Sequence, residues 1–402
     1  MKTTLRQAAG SLLVVGLGGT ELTNLERAWL KLVRPAGIIL FRRNIEDARQ
    51  TRALLGEATA LCAAHSFRCV DVEGGTVDRL RDALAPMPPA QAVALAARSR
   101  GRDVWSPTLS QRTRKDGAPT CSPRSKGRDV GHLDGLAREQ GELIARGVKA
   151  FGFNTTLAPV LDLALPGSAA VLGTRAAAAT AAGVVEYARP FLAGLSRHGV
   201  AGCGKHFPGL GGGALDSHLE TPAILRSPND LWREDLAPYR ELRSELPMVM
   251  VSHAAYPRTP GKDRPASVSP YWIATVLRKR IGYRGIVFSD DLEMGGILRF
   301  MPIEEAAVAA IRAGMDLLEI CHSPELILRA YAALVAESER SAAFGKLLLA
   351  RAEQTARQRA KLFAGGVSHA LSARKFEALR GRILRFGETI EKAQPALEAR
   401  PS

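Results

Sequence analysis

Eight short β-branched runs, separated by alanine- and leucine-rich stretches long enough for helices, constrain this chain more than any other feature. They are SLLVV (11–15), GIILF (37–41), RCVDVEGG (68–75), NTTLAPVLDLA (154–164), VAGCGKHF (200–207), PMVMVSHAAY (247–256), GIVFSDD (285–291) and MDLLEI (315–320). Strands alternating with helices imply right-handed βαβ units and a parallel sheet, and eight of them suggest closure into a (β/α)₈ barrel of the α/β class. A doubly wound open sheet is the alternative. The 402 residues accommodate one such barrel with decorations, and an apolar content of 46% supports a large core. Polar and charged residues gather where the runs end: Asp71 and Glu73, Asp162, Lys205 and His206, His253, Asp290 and Asp291. In a barrel of this kind that is the catalytic face.

The formal charge of +15 raises the question of nucleic acid. The cations are spread along the whole chain beside Glu and Asp, and RNP-type signatures and Cys/His finger spacings are both absent, so no nucleic-acid partner is expected. A generally basic surface suits anionic small substrates instead. The five scattered cysteines argue against a disulfide framework and against a thiolate metal site, which implies a reducing compartment. Lys2 and Arg6 precede the apolar run SLLVVGLGG as in a signal peptide, but the run is short and lacks an Ala-x-Ala site, so it reads as the first barrel strand of a cytoplasmic protein. No apolar run reaches the ~18 residues of a membrane span.

One region breaks the rhythm. SRGRDV at 99–104 returns as SKGRDV at 125–130, and between the copies lies a polar, proline-bearing segment without periodicity. Residues 101–126 therefore read as a disordered insertion in a single domain of 1–402, with a core at about 10–340 and peripheral helices and a tail over 341–402. Deleting 101–126 is expected to spare fold and activity; a soluble full chain beside an insoluble deletion would refute this.

The chemistry concentrates in KHFPGLGGGALDSHLETP (205–222). Gly209, Gly211, Gly212 and Gly213 cannot hold regular structure cheaply, so this reads as a loop that swings. Near its far end Asp216 and His218 are spaced so that the carboxylate can orient the imidazole and raise its proton affinity. Asp290 ends the apolar strand GIVFSDD, where its side chain would point into the barrel mouth; the capping role common for Asp at such a turn falls to Asp291. A carboxylate nucleophile and a separate proton donor are the minimum for glycosidic cleavage with retention, which assigns Asp290 as nucleophile, His218 as acid then base, and Asp216 as its orienting partner.

Six motifs in this order, DVEGGTVDRL (71–80), APVLDLA (158–164), GTR (173–175), KHFPG (205–209), DSH (216–218) and FSDDLEM (288–294), resemble glycoside hydrolase family 3, and within it the short single-barrel β-N-acetylglucosaminidases of the NagZ type. The resemblance spans about Leu12 to Glu319, with only 101–126 foreign. It implies a covalent glycosyl-enzyme on Asp290, no metal or cofactor, and a monomer acting on terminal N-acetylglucosamine of muropeptide fragments in cytoplasmic wall recycling. It also implies that Asp71, Arg175, Lys205 and His206 hold the sugar through charge-assisted hydrogen bonds, while Glu73, Arg79, Asp162 and His253 support them. Two positions depart from the family pattern: Leu210 stands for a usual histidine, and Ala176–Ala178 follow the GTR arginine where an aromatic is usual. Two other readings stay open, a phosphorylase, since an imidazole would not repel phosphate as a carboxylate would, and a sugar-binding barrel without turnover.

Overall fold

A computed structural model describes residues 3–102, 126–212, 221–262, 264–366 and 369–393, the side chains of 98–102 and 126–132 apart. Each apolar run supplies one strand of a closed parallel barrel. The strands are β1 (Leu13–Gly16), β2 (Gly37–Leu40), β3 (Phe67–Val70), β6 (Thr155–Thr156), β7 (Ala201–Phe207), β8 (Met248–Val251), β9 (Ile286–Asp291) and β10 (Leu317–Ile320). Because β1 pairs with both β2 and β10, the sheet has no edge and the open-sheet alternative falls. Between β3 and β6 a two-stranded antiparallel hairpin, β4 (Val72–Gly74) and β5 (Val77–Asp78), stands outside the barrel sheet.

Two of the expected strands are cut short for reasons visible in the chain. β6 ends after Thr156 because Pro159 has no N–H for a ladder. The segment beyond it forms an isolated bridge between Val160 and Lys205, and so delivers Asp162 to the mouth as irregular backbone. RCVDVEGG splits into β3 and the hairpin strand β4, which turns Asp71 and Glu73 over the barrel opening.

Alternate strand residues serve two cores. Leu13 and Val15 pack among the surrounding helices, while Val14 joins Ile39, Phe67, Cys69, Cys203, Met250 and Phe288 inside the barrel. Burial on both faces is why the runs are apolar throughout. Gly16 is required at the mouth: a Cβ there would lie 1.9 Å from the Cys321 carbonyl oxygen just after β10. The surrounding helices start on side-chain caps, Thr23 with Glu26 in a capping box, Asp47, Thr180 and Ser323, each worth ~1 kcal/mol.

The helix Ala342–Leu362, expected at the periphery, does more than decorate. Phe363 at its end packs with the barrel-interior cluster, its ring edge-on to Phe67 at 5.1 Å and 86°. Arg359, buried one turn earlier, donates to the Ala36 carbonyl at 3.2 Å. This helix therefore seals the end of the barrel where the strands begin, leaving the other end as the opening. The following helix, Ala373–Ala393, buries Leu379, Ile383, Phe386 and Ile390 and packs on Ala90–Arg102 and Lys126–Ala150. Segment 101–126 lies, save its ends, outside the described residues. Cys62, Cys69, Cys203 and Cys321 are buried and free. Among the described residues no helix is long and apolar enough to cross a membrane.

Candidate active site

The strand ends bring the expected groups together around a cavity of about 310 Å³, near the lower end of the ~300–1,000 Å³ typical of ligand sites. Asp71, Arg175, Lys205, His206 and Asp290 all line it, with Leu157, Met250, Met294 and Val171 as apolar wall.

On one side is a buried ionic lattice. The Lys205 ammonium donates to Asp71 at 2.9 Å and lies 2.6 Å from Glu73. The Arg175 guanidinium, on a 3₁₀ turn (Gly173–Arg175), forks onto Glu73 at 2.8 and 2.9 Å. Burying these ions is costly, and the bidentate and bridging geometry is what offsets it. Burial alone would push the Glu73 carboxyl up, but Arg175 and Lys205 outweigh it and hold the group at about 2. The same neighbours act in reverse on the cations: burial opposes their charge, yet Glu73 raises Arg175, and Asp71 followed by Glu73 raises Lys205. Both remain protonated at any physiological pH.

His206 is oriented by Asp162. The carboxylate accepts from the imidazole Nδ1 at 2.6 Å and from the His206 backbone N–H at 3.1 Å. The other ring nitrogen, Nε2, faces Arg175 Nη2 at 3.3 Å, where the guanidinium donates. The remaining Asp162 oxygen accepts from the Leu210 N–H at 2.7 Å. Leu210 thus holds the turn after β7 by its backbone, whatever its side chain, and that side chain lines the cavity. Gly209, at φ 135°, makes the turn possible. Ala176–Ala178 are buried, and Ala178 accepts a backbone bond from Ala164.

Asp290 stands half-buried opposite this lattice. Burial would raise its carboxyl, but the His206 and His253 imidazoles, the Lys205 ammonium and the Asp291 N–H, which donates at 3.0 Å, together hold it below the usual range. It is an ionised carboxylate. His253 sits behind it: Nε2 donates to the Asp291 carbonyl at 2.9 Å, so Nδ1 is left to accept from the Ser267 hydroxyl at 2.7 Å. Burial lowers its proton affinity.

Glu73, assigned a supporting part, is the bridge on which both cations rest. Two features went unread in the sequence. Asp291 caps no helix; its Oδ1 accepts from the Glu293 N–H at 3.0 Å and the side chain lines the cavity, where burial and the neighbouring Glu293 and Asp290 charges push it up to about 7. Glu319, paired in register with Asp291, also lines the cavity. Burial above all, then Asp291, Asp71 and Asp290, raises its carboxyl well above the usual range, and the Cys321 thiol donates to it at 3.2 Å. The one available signal was a charged residue near the end of the apolar run MDLLEI. Arg79, assigned a supporting part as well, lines the cavity near the ring of Phe41.

Asp216 and His218 lie outside the described residues. The described chain stops at Gly212 and resumes at Thr221, whose hydroxyl donates to the Gly296 carbonyl just beyond β9 at 2.6 Å.

Residues 4–346 match the N-terminal domain of glycosyl hydrolase family 3. A β-hexosaminidase of Alkalilimnicola ehrlichii is 36% identical over 316 residues, covering 78% of this chain and 82% of that protein. The solved β-N-acetylglucosaminidase of this family from a Paenibacillus species superposes with a TM-score of 0.77 at 30% identity, over 95% of this chain and 68% of that one. NagZ of Neisseria gonorrhoeae, 26% identical, superposes with a TM-score of 0.70 over 96% of this chain and 98% of its own.

Proposed function

The chain belongs to glycosyl hydrolase family 3, and from that premise we propose that it is a retaining exo-β-N-acetylglucosaminidase. The observation that carries the reading is Asp290: a carboxylate held ionised inside the cavity, facing an ionic lattice of the kind that grips hydroxyl groups. Asp71, Lys205, Arg175 and His206 hold the terminal sugar, and Asp162 and Glu73 keep His206 and the two cations in place. The Asp290 oxygen attacks the anomeric carbon as the bond to the leaving oxygen breaks, and His218, oriented by Asp216, gives that oxygen its proton. His218 then takes a proton from water, which displaces Asp290 and completes retention. The low proton affinity of Asp290 supports the nucleophile's part, since the group must be charged to attack. Hydrolysis on this scheme needs neither metal nor cofactor.

The relatives named as β-hexosaminidases and NagZ support a substrate ending in β-linked N-acetylglucosamine. The basic surface suits the anionic aglycone of a muropeptide fragment, and the reading places a monomer in cytoplasmic wall recycling. The test is a leaving-group comparison. His218→Ala is expected to cripple turnover of a poor-leaving-group substrate far more than of an activated aryl β-N-acetylglucosaminide. Equal losses on both sink the acid role. Asp290→Ala is expected to form no adduct with a mechanism-based fluoro-sugar by mass spectrometry, and a persisting adduct moves the nucleophile elsewhere. A glycosyl phosphate as the main product in phosphate buffer overturns hydrolysis in favour of phosphorolysis.

A further inference from the structure

We propose that Asp291, Glu293 and His322 form a binding site for one divalent transition-metal cation of the zinc type at the rim of the cavity, distinct from the groups assigned to hydrolysis. One donor atom from each lies within 4.8 Å of the others, and Asp291 Oδ2 is 3.7 Å from His322 Nε2. Tetrahedral zinc with bonds of ~2.0 Å separates its ligands by roughly 3.3 Å, so modest side-chain rotations close the set. Two carboxylates and an imidazole are a donor set that suits zinc and leaves a fourth position for water or a sugar oxygen.

The ligands are held by a surrounding shell, as metal ligands usually are. Asp291 Oδ1 is fixed by the Glu293 N–H at 3.0 Å, and Glu293 Oε1 by the Ser323 N–H at 2.7 Å, which leaves one oxygen of each carboxylate to a cation. The His322 ring lies against Phe41 with centroids 5.3 Å apart. Local charge favours occupancy. Among the described residues neither carboxylate has a lysine or arginine ion pair, the only basic partner of Asp291 being His322 itself. The ionised Asp290 is next in sequence, and the buried Glu319 Oε2 beside them has no hydrogen-bond partner.

A cation here sits beside the carboxylate that attacks the sugar and bridges two walls of the mouth, β9's end and the turn after β10. Occupancy therefore inhibits the enzyme. That consequence rests on the hydrolase reading; the binding does not, and the two are measured separately.

The experiment titrates the full chain with zinc chloride, binding being followed by calorimetry and inhibition by aryl β-N-acetylglucosaminide hydrolysis. The wild type is expected to bind one zinc per chain. His322→Ala, at an exposed side chain whose loss leaves the fold intact, is expected to weaken that binding by more than ~10-fold, and Glu293→Gln to do the same. His218→Ala, which removes the imidazole of the 205–222 loop, is expected to keep the zinc affinity of the wild type. Wild-type affinity in His322→Ala, or no binding to the wild type at millimolar zinc, overturns the site. So does loss of zinc in His218→Ala with none in His322→Ala. Binding without inhibition keeps the site and rejects only its effect on catalysis.

Discussion

Replacing Glu73 by glutamine keeps the shape of the ionic lattice and removes one charge from its centre. Glu73 is buried, meets Lys205 at 2.6 Å and receives the Arg175 fork at 2.8 and 2.9 Å. Its carboxyl is held at about 2 against an ordinary 4.5. At ~1.4 kcal/mol per tenfold change in proton affinity, that difference corresponds to roughly 3 kcal/mol of stability. The figure agrees with the ~3–5 kcal/mol expected when one partner of a buried ion pair is removed. The sign follows from the depressed value. Folding favours the ionised form, so the contribution is complete above the ordinary value of 4.5 and is lost as pH falls toward 2. By pH 3.5 roughly 1.4 kcal/mol of it has gone. The assay is denaturant unfolding of wild type and Glu73→Gln from pH 7 down to pH 3.5. The gap between them should stay constant at about 3 kcal/mol from pH 7 to pH 5.5 and narrow below pH 5. A gap below ~1 kcal/mol at pH 7, or one that does not narrow in acid, refutes the claim that Glu73 carries the charge balance.

Asp162→Asn turns a carboxylate whose one oxygen accepts from two His206 donors and whose other accepts from the Leu210 N–H into an amide with one acceptor and a competing donor. Losing bonds of that charged kind costs ~1.5–3 kcal/mol, so kcat/KM should fall about ten- to a hundredfold; an unchanged kcat/KM separates His206 from sugar binding. Phe363→Ala unplugs the closed end of the barrel and should cost about 3 kcal/mol in denaturant unfolding, with KM unaltered while the protein remains folded. A shifted KM at unchanged stability would show that this aromatic serves the mouth rather than the seal.

The barrel was legible because its strands are buried on both sides, which leaves an unbroken apolar signature. What ended two of the runs early was legible only in part: Pro159 is visible in the sequence, but not the hairpin that carries Glu73 away from β3. Asp71, Lys205, His206 and Asp290 could be placed at the mouth in advance because charged groups at the ends of apolar strands have one plausible place to go, whereas Arg175 was named only through the resemblance of its GTR motif. Glu319 escaped because the second acid of MDLLEI looks like any surface charge until its strand neighbour is known to be Asp291. Phe363 and Arg359 escaped for the converse reason. They lie on a charged amphipathic helix that looks peripheral, and only the three-dimensional path takes its end to the bottom of the barrel.

The chain's own order of residues thus determined the eightfold alternation, the mouth as the place of chemistry, and the groups that gather there, since each follows from local periodicity and from which residue types tolerate burial. Tertiary structure alone decided which charges meet: that Glu73 serves two cations, that Asp162 steers His206, that Asp290 stays ionised while Asp291 and Glu319 hold their protons more tightly. Proton affinity is set by distances of a few ångströms between residues up to hundreds of positions apart, and no local pattern encodes them.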